Sequence, residues 1–212
     1  VDRAVTMSVL MTSAIVFAEA GDPDPALRGL DVLASQCVGA DLGRVQLQRG
    51  LVLLHIGRLG DSLAALDQAD RSFVVDGTER DRFRVHINRG VVLLQRGDLG
   101  PAEGDFLAAA ELAAQLNMTA AHGQCLANLG ALYGRGRRLL DALRSFERAA
   151  ELLASAGRAD RVVAWMEIDR AEVMMHAGLL AGAVAAARSA LATAIDCGND
   201  LLIGDAYMMC AR

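Results

Sequence analysis

His122 and Cys125 are the two side chains best suited to covalent chemistry, and they stand three residues apart on one predicted helix. A thiolate beside an imidazole is a common arrangement of a nucleophile and its general base. No third group is placed to orient the imidazole, and the other histidines lie far away along the chain. We therefore predict that the pair is structural and that the chain is not an enzyme.

Residues 134–138, GRGRR, combine glycine with positive charge, as loops that bind phosphate do. A phosphate-binding loop follows a β-strand and opens a helix. This segment follows a predicted helix, so we interpret it as a solvated turn, with contact to an acidic partner as the alternative. The sequence also contains no HExxH or CxxC spacing. It therefore predicts neither a metal site nor a cofactor.

Four predicted helices carry side chains at positions i, i+4, i+7 and i+11, which lie on one helix face. We call this set the polar stripe. It is largely basic on the first three helices and acidic on the fourth. It predicts either a solvated helix face or a surface that binds a protein or peptide partner. The part of the partner that meets the basic residues would be acidic. The candidate binding residues are Arg44, Gln48 and His55; Arg84, Asn88 and Gln95; Gln124, Asn128 and Arg135; and Trp165, Asp169, Glu172 and His176.

A frame of small residues shows which elements must position the polar stripe. Gly50, Gly90 and Gly130 stand 40 residues apart, and Ala171 follows 41 residues later. Four copies in register predict a helical repeat. Each copy holds two helices, which we call helix A and helix B in chain order. The small residues indicate that the two helices cross too closely for a large side chain. Glycine after helix A predicts a turn with positive φ. That turn position holds Gly57, Gly97, Arg137 and Gly178, and the crossing position on helix B holds Ser62, Ala102, Ala142 and Ala183.

Two rows of polar residues follow the same frame. The row Gln48, Asn88, Asn128 and Asp169 lies within the polar stripe, and its members either hydrogen-bond between neighbouring repeats or contact a ligand. A second row precedes the small residue of helix A, and we predict that it pairs with acids of the next repeat, with an anion site as the alternative. This second row consists of Arg49, Arg89 and Arg170.

The frame predicts eleven helices and no strand. Complete copies occupy residues 43–76, 79–118, 119–157 and 160–198, and a weaker copy occupies residues 1–38, with residues 38–42 as a connector. The last predicted helix, residues 200–212, has no helix B after it. We expect its second apolar face to be exposed and to mediate self-association or the junction with a further domain. Together with the start at Val1, this predicts a piece of a larger protein.

Composition narrows the class of protein further. The 212 residues are 53% hydrophobic but only 4% aromatic, so alanine, leucine and valine must build the core. The net charge of −5 argues against a nucleic-acid partner. The longest apolar run, residues 7–20, is shorter than the roughly 20 residues that span a bilayer. It predicts a core helix, with a signal peptide as the alternative. Four cysteines without paired metal spacing predict reduced, buried thiols of a cytoplasmic protein.

The third complete copy resembles the tetratricopeptide repeat (TPR). The residues that carry the resemblance are Asn128, Leu129, Gly130, Tyr133, Ala142, Phe146 and Ala149. The resemblance implies an all-α fold, a right-handed superhelical solenoid of helical hairpins, in which helix A lines a concave surface that holds partners. The period of 40 residues departs from the family's period of about 34, so we expect longer helices.

Residues 43–212 also resemble the TPR arrays that precede CHAT domains, which are caspase-like peptidase modules, in actinobacterial proteins. The stretches that carry this resemblance are GLVLLHIGRLGDSLAALDQADRSF and IDRAEVMMHAGLLAGAVAAARSALA. The resemblance implies a non-enzymatic recognition or regulatory arm, with the peptidase beyond Arg212. The alternative function is a ligand-sensing helical domain of a bacterial transcription regulator.

Overall fold

The computed structural model describes residues 23–157 and 161–211, and these residues form α-helices without a strand. Residue contacts divide the chain into two compact units, residues 1–105 and 106–212. The first predicted helix, in residues 1–20, lies outside the described residues. The described helices are α1 (Asp24–Ala34), α2 (Gly39–His55), α3 (Leu59–Asp76), α4 (Glu79–Arg96), α5 (Leu99–Gln115), α6 (Thr119–Arg135), α7 (Leu139–Ser155), α8 (Arg161–His176), α9 (Leu180–Asp196) and α10 (Asp200–Cys210).

The helices explain the long period of the sequence. From α2 to α9, each helix has 16 to 18 residues. Most of the connections between them are only two or three residues long, so the extra residues of the 40-residue period do lie in longer helices. One boundary was predicted wrongly: residues 38–42 are not a connector, because α2 begins at Gly39. The reason is burial, since Ala40 packs against Leu66 and Phe73 in the core.

In the first unit, α2 and α3 cross at Gly50, as the small-residue frame predicts. A Cβ atom at Gly50 would lie 2.8 Å from Cγ of Leu66. The buried hydroxyl of Ser62 donates a hydrogen bond of 2.7 Å to the carbonyl oxygen of Gly50. Serine therefore replaces alanine at this crossing without leaving a buried polar atom unpaired.

In the second unit, the crossing of α6 and α7 is equally close. A Cβ atom at Gly130 would lie 2.6 Å from two ring carbons of Phe146, and the Phe146 side chain is fully buried. In the next hairpin, Ala171 of α8 packs against Ala186 and Ala187 of α9. The prediction of small residues where the helices cross is therefore confirmed at Gly50 and Gly130.

The turn after each helix A has the predicted left-handed backbone. The φ angle is +75° at Gly57, +85° at Gly97 and +75° at Gly178, and Arg137 adopts +61° at the equivalent position. In each turn the next residue donates its N–H to a carbonyl five positions earlier, as Arg138 does to Tyr133 at 2.9 Å. This is the hydrogen bond of a Schellman motif.

Helix α10 buries only part of its apolar surface. Leu202 and Ala206 pack against Ala164 and Ala190 of the α8–α9 hairpin. On the same helix, the exposed large hydrophobic residues are Leu201, Tyr207 and Met208. Self-association through residues 200–212 stays a prediction, and these exposed side chains are the part of the helix that would carry it.

Candidate functional site

In the first unit, internal contacts occupy much of the polar stripe. Arg44 forms ion pairs with Asp41 at 3.1 Å and with Asp81 of α4 at 3.2 Å. Gln48 is only 4% exposed. His55 and Gln95 lie at exposed positions near the ends of α2 and α4, and Arg84 is half-buried. Arg44 therefore joins α2 to α4 within the unit, and the burial of Gln48 keeps that side chain from a partner.

The row of amides does not join neighbouring repeats by the hydrogen bonds that one interpretation expected. Nδ2 of Asn88 donates to the carbonyl oxygen of Arg84, one turn earlier on its own helix, at 2.7 Å. Nε2 of Gln48 and Nδ2 of Asn128 are buried and have no hydrogen-bond partner in the described part of the chain. This row is therefore only partly satisfied, which is unusual for buried polar groups.

In the second unit, the polar stripes of α6 and α8 meet at a cavity of about 490 Å³. We call it the α6–α8 cavity. Arg135 reaches it from α6, and Asp169, Glu172 and His176 reach it from α8. Of the other stripe residues in this unit, Gln124 and Trp165 are exposed and Asn128 is half-buried. The complete lining is Ala131, Gly134, Arg135, Arg137, Asp169, Glu172, Val173 and His176.

Helical spacing and one glycine place these residues together. Asp169, Glu172 and His176 follow at i, i+3 and i+7 on α8 and therefore share one face. Gly134 lets α8 come close, because a Cβ atom there would lie 2.5 Å from Cγ2 of Val173. Arg135 ends α6, so its side chain stands beside the turn that contains Arg137. The cavity consequently has a basic wall and an acidic wall.

Burial shifts the pKa of one carboxyl group in the acidic wall. Burial, and then the neighbouring charge of Glu172, raise the pKa of Asp169 to about 6, although Arg135 acts in the opposite direction. Asp169 therefore titrates just below neutral pH, and the charge of the cavity changes over that range. A carboxylate with a raised pKa in a cleft is typical of functional sites, although structural networks also produce one.

The Asp169→Asn variant should be more stable than the parent at pH 7. The folded state holds the Asp169 proton more tightly than the unfolded state between pH 3.8 and about 6. The contribution of this residue to the unfolding free energy therefore falls as the pH rises through that window. Discounted for solvent screening, the variant should gain about 1–2 kcal/mol at pH 7 and nothing below pH 3.8.

Urea denaturation of the parent and of the Asp169→Asn variant at several pH values measures this difference in stability. Asp196→Asn is the matched control, because Asp196 is exposed near the end of α9. A gain that is the same at every pH would contradict the assignment of the raised pKa to Asp169.

The His122 and Cys125 pair is structural, as predicted. The Cys125 side chain is fully buried, and burial raises the pKa of its thiol to about 12. Burial, followed by the charge of Arg148, lowers the pKa of His122. A thiol of this kind stays protonated and inaccessible at neutral pH. The prediction of buried thiols is wrong for Cys197 and Cys210, which are exposed at the end of α9 and on α10.

Residues 134–138 form the end of α6 and the following turn, as predicted. Arg138 forms an ion pair with Asp141 at 2.9 Å, and its guanidinium lies 4.1 Å from the centre of the Tyr133 ring. Arg137 instead lines the α6–α8 cavity. The sequence placed Arg137 in the frame and in the basic segment 134–138, but not in the polar stripe. The signal that marks it is an arginine at a position where the other three copies have glycine.

Within the described residues, the arginine row does not pair with acids of the next repeat, contrary to the prediction from the sequence. Arg49 of α2 forms an ion pair with Asp31 of the preceding helix α1. Arg89 of α4 contacts Asp67 of the preceding helix α3 at 3.2 Å, and Asp105 of α5 at 2.7 Å. Arg49 and Arg89 therefore link their helices to the helix B before them, whereas Arg170 forms an ion pair with Glu167 of its own helix α8 at 3.3 Å.

The described residues hold neither a cluster of metal ligands nor a membrane-spanning helix. No three His, Cys, Asp or Glu side chains in residues 23–157 and 161–211 lie together as metal ligands would. In the same ranges no helix is both long enough and apolar enough to cross a membrane.

No protein-family model matches the sequence, and a search of curated proteins finds no relative. Solved structures do match. Aspartyl phosphate phosphatase F from Bacillus subtilis has a TM-score of 0.83 at 11% identity, over 97% of this chain and 55% of that one. A Rap protein complexed with competence and sporulation factor has a TM-score of 0.70 at 13% identity, over 96% and 58%.

This chain therefore spans little more than half the length of those two proteins. A kinesin light chain of Podospora anserina with nearly identical TPR-like repeats has a TM-score of 0.71 at 11% identity, over 91% of this chain and 97% of that one. Identities this low show the fold alone. The chain has the all-α helical-repeat fold of TPR-like proteins.

Proposed function

We propose that the chain is a non-enzymatic module that binds a protein or peptide partner, with the α6–α8 cavity as the centre of its binding surface. The observation that carries the proposal is the meeting of charged side chains from two successive A helices at one cavity of about 490 Å³. Pockets for small molecules are mostly apolar. This cavity has arginines on one wall and carboxylates on the other, which suits the charged side chains of a polypeptide better.

Two further observations support the proposal. The thiol of Cys125 is buried and protonated, so the pair that looked most like a nucleophile and its base has no access to a substrate. The matched Rap protein was solved in complex with competence and sporulation factor, which indicates that a similar array of helices can hold a partner.

The rest of the polar stripe belongs to the same proposal. His55, Gln95, Gln124 and Trp165 are exposed and Arg84 is half-buried, and none of these five forms an ion pair within the described residues. An acidic segment of the partner would meet Arg84. Continuity of all repeats in one solenoid, from residue 1 to residue 212, also stays a prediction.

The larger protein proposed to contain this chain is of the CHAT type, with this chain as its recognition or regulatory arm in the cytoplasm of an actinobacterium. The resemblance of residues 43–212 supports this proposal. The encoded sequence after Arg212 tests it. A caspase-like α/β segment there supports the arm, whereas a helix-turn-helix segment supports a sensing domain of a transcription regulator.

Selection from a phage library of random 12-residue peptides tests the binding function. Recovered peptides would be synthesised, and their affinity for the chain measured by fluorescence anisotropy. Glu172→Arg reverses one charge of the acidic wall, so we expect it to weaken binding at least tenfold. The melting temperature should not fall, since Glu172 is exposed and the change removes its repulsion of Asp169.

Arg144→Glu is the matched control, because Arg144 is exposed on α7 and is not part of the cavity lining. Equal affinity of the parent and the Glu172→Arg variant would exclude the α6–α8 cavity as the binding site. Failure to enrich any peptide would count against the binding function itself.

A further inference from the structure

Arg137 adopts a backbone conformation that the other copies reserve for glycine. Its φ angle is +61°, and the equivalent positions Gly57, Gly97 and Gly178 have φ angles of +75°, +85° and +75°. A Cβ atom in the left-handed region collides with the backbone, so a non-glycine residue there lowers stability. Glycine at this position would make the turn more stable, so the stability of the turn does not explain the arginine.

The side chain of Arg137 supplies that reason, because it lines the α6–α8 cavity. Its neighbour Arg138 is engaged by Asp141 and Tyr133. Arg137 is exposed, and within residues 23–157 and 161–211 it forms no ion pair. The strained position thus holds a guanidinium at the rim of the cavity, ready to meet a ligand. Strained residues that persist in folded proteins cluster at functional sites.

We propose that Arg137 binds a carboxylate of the partner peptide, and that Asp169 and Glu172 on the opposite wall receive a positively charged group of the same peptide. This inference rests on the proposed function and names its ligand. The planar guanidinium donates two parallel hydrogen bonds to a carboxylate. A doubly charged phosphate would suffer more repulsion from the two acids of the facing wall.

The Arg137→Gly variant separates this role from a structural one. Relief of the strained backbone should raise the melting temperature by about 2–4 °C. Loss of the guanidinium should weaken binding of the phage-selected peptides at least tenfold. A residue that only served the fold would not lose binding while the protein gains stability.

Asn117→Gly is the matched control. Asn117 also has a positive φ angle, +53°, but it lies in the turn before α6 and is not part of the cavity lining. We expect a smaller rise in melting temperature, because asparagine tolerates a positive φ angle better than arginine does, and an affinity within twofold of the parent.

Modified peptides identify the source of the carboxylate. Replacing each acidic residue of a bound peptide by its amide tests an internal side chain, and amidating the C-terminus tests the terminal carboxylate. One of these changes should reduce the affinity for the parent tenfold and have little further effect on the Arg137→Gly variant.

Three outcomes would overturn the assignment: a loss of less than threefold in Arg137→Gly, a fall in its melting temperature, or peptides that bind equally well after every carboxylate is neutralised. If peptides bind but Arg137→Gly has no effect, the proposed function survives without this inference. If no peptide binds, both are contradicted.

Discussion

Replacing Gly130 by leucine should lower the free energy of unfolding by about 2–3 kcal/mol, because added atoms in a packed core force neighbouring side chains out of their rotamers. Even the first added atom, Cβ, would lie 2.6 Å from the ring of Phe146. The ring is fully buried, so it has no free space into which to move. Urea denaturation followed by circular dichroism measures the loss.

Gly104→Ala also adds a side chain to a glycine within a helix, but it should raise the stability. Gly104 lies within α5, and a Cβ atom there would have no neighbour within 4 Å. Alanine should therefore add about 0.5–1 kcal/mol of stability through helix propensity. If Gly130→Leu were as stable as the parent, the α6–α7 crossing would not require glycine, and the small-residue frame would need another explanation.

Asp105→Asn should destabilise the first unit by about 3 kcal/mol, because it removes the acid from a buried ion-pair network. The carboxylate accepts hydrogen bonds from Arg89 at 2.7 Å and faces Nδ1 of His86 at 2.8 Å. Its side chain is only 7% exposed. Burial alone would raise the pKa of Asp105, but hydrogen bonds from His86 and Arg89 outweigh burial and hold the pKa below its usual value.

The lowered pKa gives this prediction a pH signature. The folded state releases the Asp105 proton more readily than the unfolded state, so the stabilisation is complete above pH 3.8 and is lost as the pH falls through the lower folded pKa. The difference between the parent and the variant should therefore shrink in acid. Denaturation midpoints measured from pH 7 down to pH 3 test this.

Asp141→Asn is a suitable control, because its ion pair with Arg138 has similar geometry, 2.9 Å, but lies on the surface with side chains 41% and 48% exposed. It should change stability by less than about 1 kcal/mol. The double variant Arg89→Met, Asp105→Leu should be more stable than Asp105→Asn alone, since no buried charge is then left unpaired. Equal losses of stability in Asp105→Asn and Asp141→Asn would contradict the prediction that the buried ion pairs of Asp105 stabilise the first unit.

The sequence determined the repeat and its turns because these depend on local chemistry. Gly50 and Gly130 could be recognised since a close crossing of helices excludes a side chain, and Gly97 since the turn after helix A has a positive φ angle of +85°. A second row of turns was missed, although it obeys the same rule. Asn117, Gly157 and Gly198 have φ angles of +53°, +67° and +61°.

Only the tertiary structure decided which polar residues remain available to a partner. Periodicity places Arg44 and Gln48 on the same helix face as Arg84, but it does not show that Asp81, 37 residues away, pairs with Arg44 or that Gln48 is buried. Those outcomes depend on how the neighbouring helix packs.

The α6–α8 cavity also could not be predicted from helical periodicity alone. The polar stripe contained Arg135 and Asp169, but their shared cavity exists because Gly134 lets Val173 approach. Arg137 joins them from a turn, outside the helical spacing that defined the stripe. Helical periodicity predicts the face on which a residue lies, whereas the distance between two helices, and therefore the site between them, depends on side chains from both.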